Sequence, residues 1–281
     1  MKKRFAKGYL EITNVCNLAC SFCHGTKRQA RFLTVDEFVV LAGKLRPETD
    51  YLYLHVMGEP LLHPGLGEIL TESAQMGFFT CLTTNGTLLG QKRELLTAHA
   101  QNIRKMSISL HSAEANGQVL RGYLDTAVDV AAEMGARGTI TVLRLWNLGV
   151  GGKAEKNGEI LELLHRKFPG EWTDNRGGPK IGEGVYLEWG EKFDWPDRSA
   201  DDHGEVGYCY GLRDHVAVLC DGSVVPCCLD SDGEMTLGNL FTQDLEEILA
   251  SPRAAAIRDG FAVHRAVEPL CRRCGFARRF L

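Results

Sequence analysis

The chain has 281 residues, 44% apolar and 24% charged, enough for one large domain and a small one. A formal net charge of −4 gives no general attraction to nucleic acid, and the longest uncharged stretch, residues 73–91, holds too many polar side chains for a membrane span. Ten cysteines, behind an N-terminus with no apolar signal core, exclude a secreted disulfide scaffold and point to metal ligation in a reducing, cytoplasmic setting.

Strand-like runs near 9–14, 51–56, 78–83, 106–111, 139–145 and 185–189 alternate with helix-like runs near 34–45, 65–76, 91–100, 125–135 and 158–168. The first helix opens on Thr34-Val35-Asp36-Glu37, a capping-box pattern. Six strands with intervening helices predict an α/β fold with a parallel sheet curved into part of a barrel. Chemistry in such folds gathers at the C-terminal ends of strands.

Strand one runs directly into Cys16-Asn17-Leu18-Ala19-Cys20-Ser21-Phe22-Cys23, a C-x3-C-x2-C spacing. Three thiolates can hold three irons of a [4Fe–4S] cluster and leave the fourth open to a chelating ligand. Zinc prefers four ligands, and no His follows at finger spacing. Strand two ends in Val56-Met57-Gly58-Glu59-Pro60 and strand three in Thr83-Thr84-Asn85-Gly86-Thr87. Side-chain alternation sets Leu10, Ile12, Leu52, Leu54, Val56, Ile108, Leu110, Val185 and Leu187 on outward faces. It sets Glu11, Thr13, Tyr51, Tyr53, His55, Ser107, Ser109, His111, Tyr186 and Glu188 on the opposite faces, toward a polar lumen.

The cysteine run and these strand-end segments resemble the signature of the radical S-adenosylmethionine (SAM) enzymes. The resemblance implies a partial (β/α)6 TIM-like barrel over residues 1–200. It implies a [4Fe–4S] cluster on Cys16, Cys20 and Cys23 whose open iron takes the amino and carboxylate groups of SAM. Reductive cleavage of SAM then yields a 5′-deoxyadenosyl radical that abstracts hydrogen from a substrate. Phe22 matches an aromatic beside cluster and adenine. Gly58, Glu59 and Pro60 resemble the family's GGEP segment, with Met57 in place of its first glycine, where backbone and acidic side chain receive the SAM amino group. Asn85 sits in the family's TNG-like turn, Ser109 and His111 match contacts to ribose or carboxylate, and Arg144 matches an arginine that pairs with the SAM carboxylate. A flavodoxin or ferredoxin is the implied reductant.

Beyond residue 200 stand Cys209, Cys220, Cys227, Cys228, Cys271 and Cys274, with Gly222, Gly238-Asn239-Leu240 and a helix near 243–250 between them. This resembles the twitch domain, the shortened SPASM form, and implies a small C-terminal iron–sulfur domain over 201–281. Its auxiliary [4Fe–4S] cluster would be held by Cys209, Cys227, Cys271 and Cys274, making two clusters in all. On spacing alone the same four cysteines suit zinc. In an extended segment Cys227 and Cys228 point opposite ways, so only one faces the cluster. The resemblance leaves two readings of Cys228, the ordinary Cys-Cys pair of twitch-like sequences, which is favoured, and a hydrogen-atom donor as in the peptide epimerases of this superfamily. Cys81 and Cys220 lie in apolar runs and read as core thiols. The basic tail after Cys271 reads as a solvated terminus.

Residues 169–207, rich in Gly, Asp and Glu, and the Gly-rich 149–152 are candidate loops over the barrel mouth. Three reactions are open. The first is dehydrogenation of a small polar molecule, with the auxiliary cluster as electron acceptor and a base among Glu188, Tyr186, His55 and Glu11. Twitch-containing alcohol dehydrogenases of this family carry an arginine near the end of strand six, where this chain has Glu188-Trp189-Gly190. The second is epimerisation or crosslinking of a ribosomal peptide. The fifteen residues before Cys16 are too few for the N-terminal peptide-recognition domain common in such enzymes. The third is nucleoside or tRNA modification, which the acidic net charge disfavours. An iron–sulfur electron-transfer protein is the non-enzymatic alternative.

Overall fold

Ten strands form a single sheet in the computed structural model, which describes residues 3–114, 121–148, 157–175 and 177–280. They are β1 (Lys7–Leu10), β2 (Tyr51–Tyr53), β3 (Phe79–Thr84), β4 (Ile103–Ser109), β5 (Ile140–Leu148), β6 (Lys180–Gly182), β7 (Val185–Glu191), β8 (His215–Val218), β9 (Ser223–Val225) and β10 (Gly238–Asn239). Their spatial order is β10-β9-β8-β1-β2-β3-β4-β5-β7-β6. The stretch from β8 through β1 to β7 is parallel throughout, and β6, β9 and β10 add antiparallel edges. The six strands expected from the sequence are β1–β5 and β7. The sheet is open, a partial barrel. The Gly-rich 149–152 lies outside the described residues.

The helices are α1 (Val35–Leu45), α2 (Leu66–Gln75), α3 (Leu89–Ala98), α4 (Arg121–Ala136), α5 (Asn157–Lys167), α6 (Leu245–Ala250), α7 (Pro252–Ala262) and α8 (Pro269–Arg272). Helix α1 starts where the capping box predicts. The Thr34 hydroxyl accepts the Glu37 N–H at 3.1 Å, and the Glu37 carboxylate accepts the Thr34 N–H at 2.9 Å. The apolar sheet face is the core: Leu10, Leu52, Leu82, Ile108, Leu143 and Leu187 are fully buried together with Phe38, Leu41 and Leu45 of α1.

Two strands are shorter than their sequence pattern. After Leu10 the ladder changes partner, because Ile12 accepts the N–H of Leu33 and Thr13 bridges Phe32 on the chain returning from the cysteine loop. After Tyr53 the chain turns into the Met57-Gly58-Glu59 corner, leaving only the Leu54 N–H bonded to Cys81. No strand was expected at His215–Val218. It pairs in parallel with all of β1, so the barrel sheet runs on into the C-terminal cysteine region without a break.

Candidate active site

The cysteine loop leaves the C-terminal end of β1 and is fastened on three sides. Glu59 donates its N–H to the Val15 carbonyl at 2.8 Å. Gly58 has φ +76°, and a Cβ there would lie 2.5 Å from the Thr13 oxygen and 2.9 Å from that of Val15, so only glycine allows the corner to touch the loop. Asn85 donates to Asn17 at 2.9 Å and to the Cys16 sulfur at 3.8 Å, and accepts from Thr87. Trp195 donates its indole N–H to the Phe22 carbonyl at 3.1 Å. Downstream, Thr26 and the Lys27 N–H bind the Asp232 carboxylate at 2.8 Å, and Arg28 donates to the Ser231 carbonyl.

Three thiols are thereby presented from one loop, Cys16 and Cys23 exposed and Cys20 half-buried. Burial and the neighbouring cysteines push the Cys20 thiol up to about 11; burial also raises Cys16, aided by Glu59 and Cys23. Thiols so close that each would resist its neighbour's ionisation suit a shared cationic centre, which takes thiolates.

Cys209, Cys227, Cys271 and Cys274 form the second set. All four line one cavity, and burial raises all four thiols. Cys227 is shifted furthest by desolvation, then by the fields of Cys209, Cys228, Cys271 and Cys274. Among the described residues no three Cys, His, Asp or Glu side chains converge as they would around one metal ion. Thiols that border a common space suit a cubane, where each thiolate holds its own iron, better than a single zinc. Cys227 and Cys228 lie in a turn after β9, and the extended geometry expected for them is absent. Cys228 still parts from its neighbour, because it packs against the Tyr9 hydroxyl of β1 in a hydrogen bond.

The cavity holds about 700 Å³ and reaches from Phe22 and Cys23 to the second cysteine set. Its barrel wall carries Lys7 and Tyr9 (β1), Tyr53 (β2), His55, Lys105 (β4), His111, Arg144 and Trp146 (β5) and Glu188 (β7); Val56, expected on the outward face, also lines it, whereas Thr13, Tyr51 and Ser107, expected inside, do not. His111 sits just past β4, 4.9 Å from the Phe22 ring, and its Nδ1 lies 3.1 Å from the Arg144 carbonyl and 3.3 Å from the Trp146 N–H, so the two contacts call for opposite tautomers of the ring. Burial lowers the His111 pKa to about 4, and burial with the Arg144 field lowers His55 to about 3. Arg144 lies 3.6 Å from Glu188 and stacks 4.6 Å from the Trp146 ring centre.

Several expected site residues are placed differently. Both Glu59 carboxylate oxygens are taken by protein, one accepting the Asn85 N–H at 2.7 Å and the other the Leu61 N–H at 3.0 Å. This buried side chain braces two strand ends and lies off the cavity wall, and Pro60 starts the 3-10 turn beside it. Glu11 leaves the base candidates: Arg28 and the N–H groups of Met57 and Cys220 saturate its carboxylate. Tyr186 shares a strand face with Glu188 but lies one pleat nearer the start of β7, off the cavity wall. Ser109 is half-buried at the end of β4, in register with Arg144, and is also off that wall. Cys81 and Cys220 are buried core thiols. Tyr9, Lys105 and Trp146 join the site without having been expected there; Tyr9 shares the face of Glu11, whereas Lys105 and Trp146 each lie one residue beyond the expected strand bounds.

The family model described as Radical SAM superfamily matches residues 10–166, more than half of the chain. The chain belongs to the radical SAM superfamily. A second model, SPASM, described as an iron–sulfur cluster-binding domain, matches residues 209–275. The protein is thus a radical SAM enzyme with a SPASM-type C-terminal region, and the two domains imply SAM and iron–sulfur clusters as its cofactors. A probable GTP 3′,8-cyclase of Pyrobaculum aerophilum is 27% identical over 106 residues, covering 37% of this chain and 34% of the relative. The chain thus matches about a third of the length of that curated relative. The crystal structure of BtrN in complex with AdoMet and 2-DOIA superposes with a TM-score of 0.60 at 16% identity, over 98% of this chain and 94% of that one. Streptococcus suis SuiB bound to precursor peptide SuiA gives 0.63 at 15% identity, over 97% and 71%. These likenesses establish the radical SAM fold. Among the described residues no helix is long and apolar enough to cross a membrane.

Proposed function

We propose that this radical SAM enzyme dehydrogenates a small polar molecule held in the lumen between two [4Fe–4S] sites. The observation that carries the reading is one cavity lined both by Cys23 and Phe22 and by Cys209, Cys227, Cys271 and Cys274. SAM on a cluster held by Cys16, Cys20 and Cys23 would supply hydrogen abstraction from carbon, and a cluster held by the second set would supply an acceptor for one electron.

The remaining step is proton removal from the substrate hydroxyl, and this falls to the chain itself. Glu188 lines the cavity with its carboxylate 3.6 Å from Arg144, and a carboxylate so placed can accept a proton. His55 and His111 stay neutral, so each can accept or donate a hydrogen bond to a polar substrate without adding charge. Loss of a hydrogen atom from carbon, a proton from oxygen and one electron converts an alcohol to a carbonyl. BtrN, solved in complex with AdoMet and 2-DOIA, shares the fold over nearly its whole length.

A second reading rests on Cys228, which lines the same cavity beside Tyr9. In it the thiol returns a hydrogen atom to the substrate carbon, as a peptide epimerase requires.

Anaerobic incubation of the reconstituted protein with SAM and dithionite should give 5′-deoxyadenosine and methionine, and Cys20→Ala should not. Absence of SAM cleavage in the wild type would overturn the enzymatic reading and leave an electron-transfer protein. With a turned-over substrate, product two mass units lighter supports dehydrogenation. Solvent deuterium on product carbon, lost in Cys228→Ala, supports the second reading instead.

A further inference from the structure

The loop that carries Cys16, Cys20 and Cys23 is tied, on either side of its last thiol, to residues that adjoin the second cysteine set. Before Cys23, the Phe22 carbonyl accepts the Trp195 indole N–H at 3.1 Å. The Asp194 carbonyl next to Trp195 accepts the Gly275 N–H at 3.0 Å, and Gly275 directly follows Cys274. The two backbones touch there: a Cβ on Gly275 would stand 2.8 Å from the Asp194 oxygen, so glycine is what lets them meet. Phe193 packs edge-on against Phe276 with ring centres 5.2 Å apart, and Arg279 donates to the Glu191 carbonyl at 2.5 Å. Residues 191–195 are therefore bound along their length to the chain that leaves Cys274.

After Cys23 the loop is tied a second time. The Thr26 hydroxyl lies 2.8 Å from the Asp232 carboxylate and 2.9 Å from the Ser231 carbonyl. The Lys27 N–H donates to the same Asp232 oxygen at 2.8 Å, and the Arg28 Nε–H to the Ser231 carbonyl at 2.8 Å. Ser231 and Asp232 belong to the turn that starts at Cys227. Asp230 donates its N–H to the Cys227 carbonyl at 3.3 Å, and its carboxylate accepts the N–H groups of Glu234 and Met235 at 2.8 Å. The Met235 thioether in turn accepts the Cys271 thiol at 3.6 Å. A metal centre that fixes Cys227, Cys271 and Cys274 against one another thus fixes both anchor points of the first loop.

We propose that Asp232 and Trp195 are positioning residues through which the loaded second cysteine set holds the first cysteine loop in its SAM-binding shape. This rests on the second set taking a metal centre and is independent of the reaction that follows. Metal binding is coupled to the folding of the segments that carry the ligands. A site that orders another changes the affinity there, and the change is a coupling free energy. Here the coupling acts on the shape of the loop, so the first set keeps its iron and SAM affinity is what moves.

The test is calorimetric titration of the anaerobically reconstituted, oxidised protein with SAM. Cys209→Ala, Cys271→Ala empties the second set and leaves Cys227 and Cys274, beside the two anchors, in place; about four irons should remain. SAM should then bind about tenfold more weakly, a coupling of ordinary size. Asp232→Ala, with both sets loaded, should weaken SAM about fivefold through its lost hydrogen bonds, and Asp232→Asn, which keeps an accepting oxygen, should restore the affinity. Asp232 does not line the cavity, so its effect is not contact with SAM. In the combined variant the two losses should fall short of adding. Amide exchange over residues 20–28 of the SAM-free protein should quicken in the emptied protein and in Trp195→Phe, which removes the indole donor. SAM affinity unchanged by emptying the second set overturns the proposal, as does an Asp232→Ala protein that binds SAM like the wild type, or a wild type whose second set takes no metal. Should the emptied protein fail to fold, the two Asp232 variants decide alone. No substrate is used, so failure here leaves the dehydrogenation standing.

Discussion

Arg28 grips both carboxylate oxygens of Glu11, at 2.7 and 2.8 Å, with Glu11 fully buried. The same carboxylate accepts the N–H groups of Met57 and Cys220 at 3.0 Å. One side chain thus joins β1, the Gly58 corner, the segment after the cysteine loop and the C-terminal region. Arg28→Met would leave a buried carboxylate without its cation, which costs about 3–5 kcal/mol. A large drop in thermal midpoint is expected, and an unchanged midpoint would show that the joint contributes nothing.

Gly58→Ala attacks the cysteine loop alone. A left-handed φ costs an L-residue about 1–2 kcal/mol, and the overlap with the Thr13 oxygen adds to it. The loop must move, so SAM cleavage should fall while the second cysteine set, far along the chain, keeps its iron. Loss of all iron would mean that the two sets do not load independently.

Much of this site is legible in the sequence because its signals are local. The spacing of Cys16, Cys20 and Cys23 needs no fold to be read, and period-two alternation alone puts His55, His111 and Glu188 in the lumen. Misplaced residues fail for reasons that alternation cannot express. Glu11 and Tyr186 obey the pattern, yet one is saturated by partners some 17 and 209 positions away and the other lies too near the strand start. Strand β8 escapes the pattern because a four-residue run flanked by loops is a weak signal, and its pairing with β1 spans about two hundred residues. The hydrogen bonds of Glu59 to the Asn85 and Leu61 amides are not legible locally either, because they form only where two strand ends meet.

Acid should unfold the protein partly through His55 and His215. Burial lowers the folded pKa of His215 to about 4 and of His55 to about 3, against an ordinary 6.5. Depressed values mean that the unfolded chain binds these protons first. The stability is full above pH 6.5 and is lost as pH falls through 4, with a slope approaching about 1.4 kcal/mol per pH unit for each histidine. Urea unfolding across this range should show the decline, and His215→Gln should make it shallower. An identical pH profile for the variant would contradict a buried neutral His215.

Glu188 and Tyr186 separate a base from a bystander on one strand face. Glu188→Gln keeps the volume and removes the proton acceptor, so product should fall by at least about 100-fold, the usual contribution of a positioned base. SAM cleavage without product should persist. Tyr186→Phe should retain nearly full turnover, since its ring does not line the cavity. Equal losses in both variants would point to a distorted β7 instead of lost base catalysis.

Iron content decides whether two clusters exist. In a Cys16→Ala, Cys20→Ala, Cys23→Ala protein reconstituted without oxygen, the loop loses every thiol it offers, while Cys209, Cys227, Cys271 and Cys274 keep their shared wall. About four irons per chain should remain, with the absorption of a cubane. Such a cluster has all four irons held by thiolate, leaves no iron open to SAM, and suits electron transfer. Near-zero iron would mean that the second set binds zinc or nothing. The dehydrogenation would then lack its electron acceptor, and the hydrogen-returning role of Cys228 would become the stronger reading of the cavity.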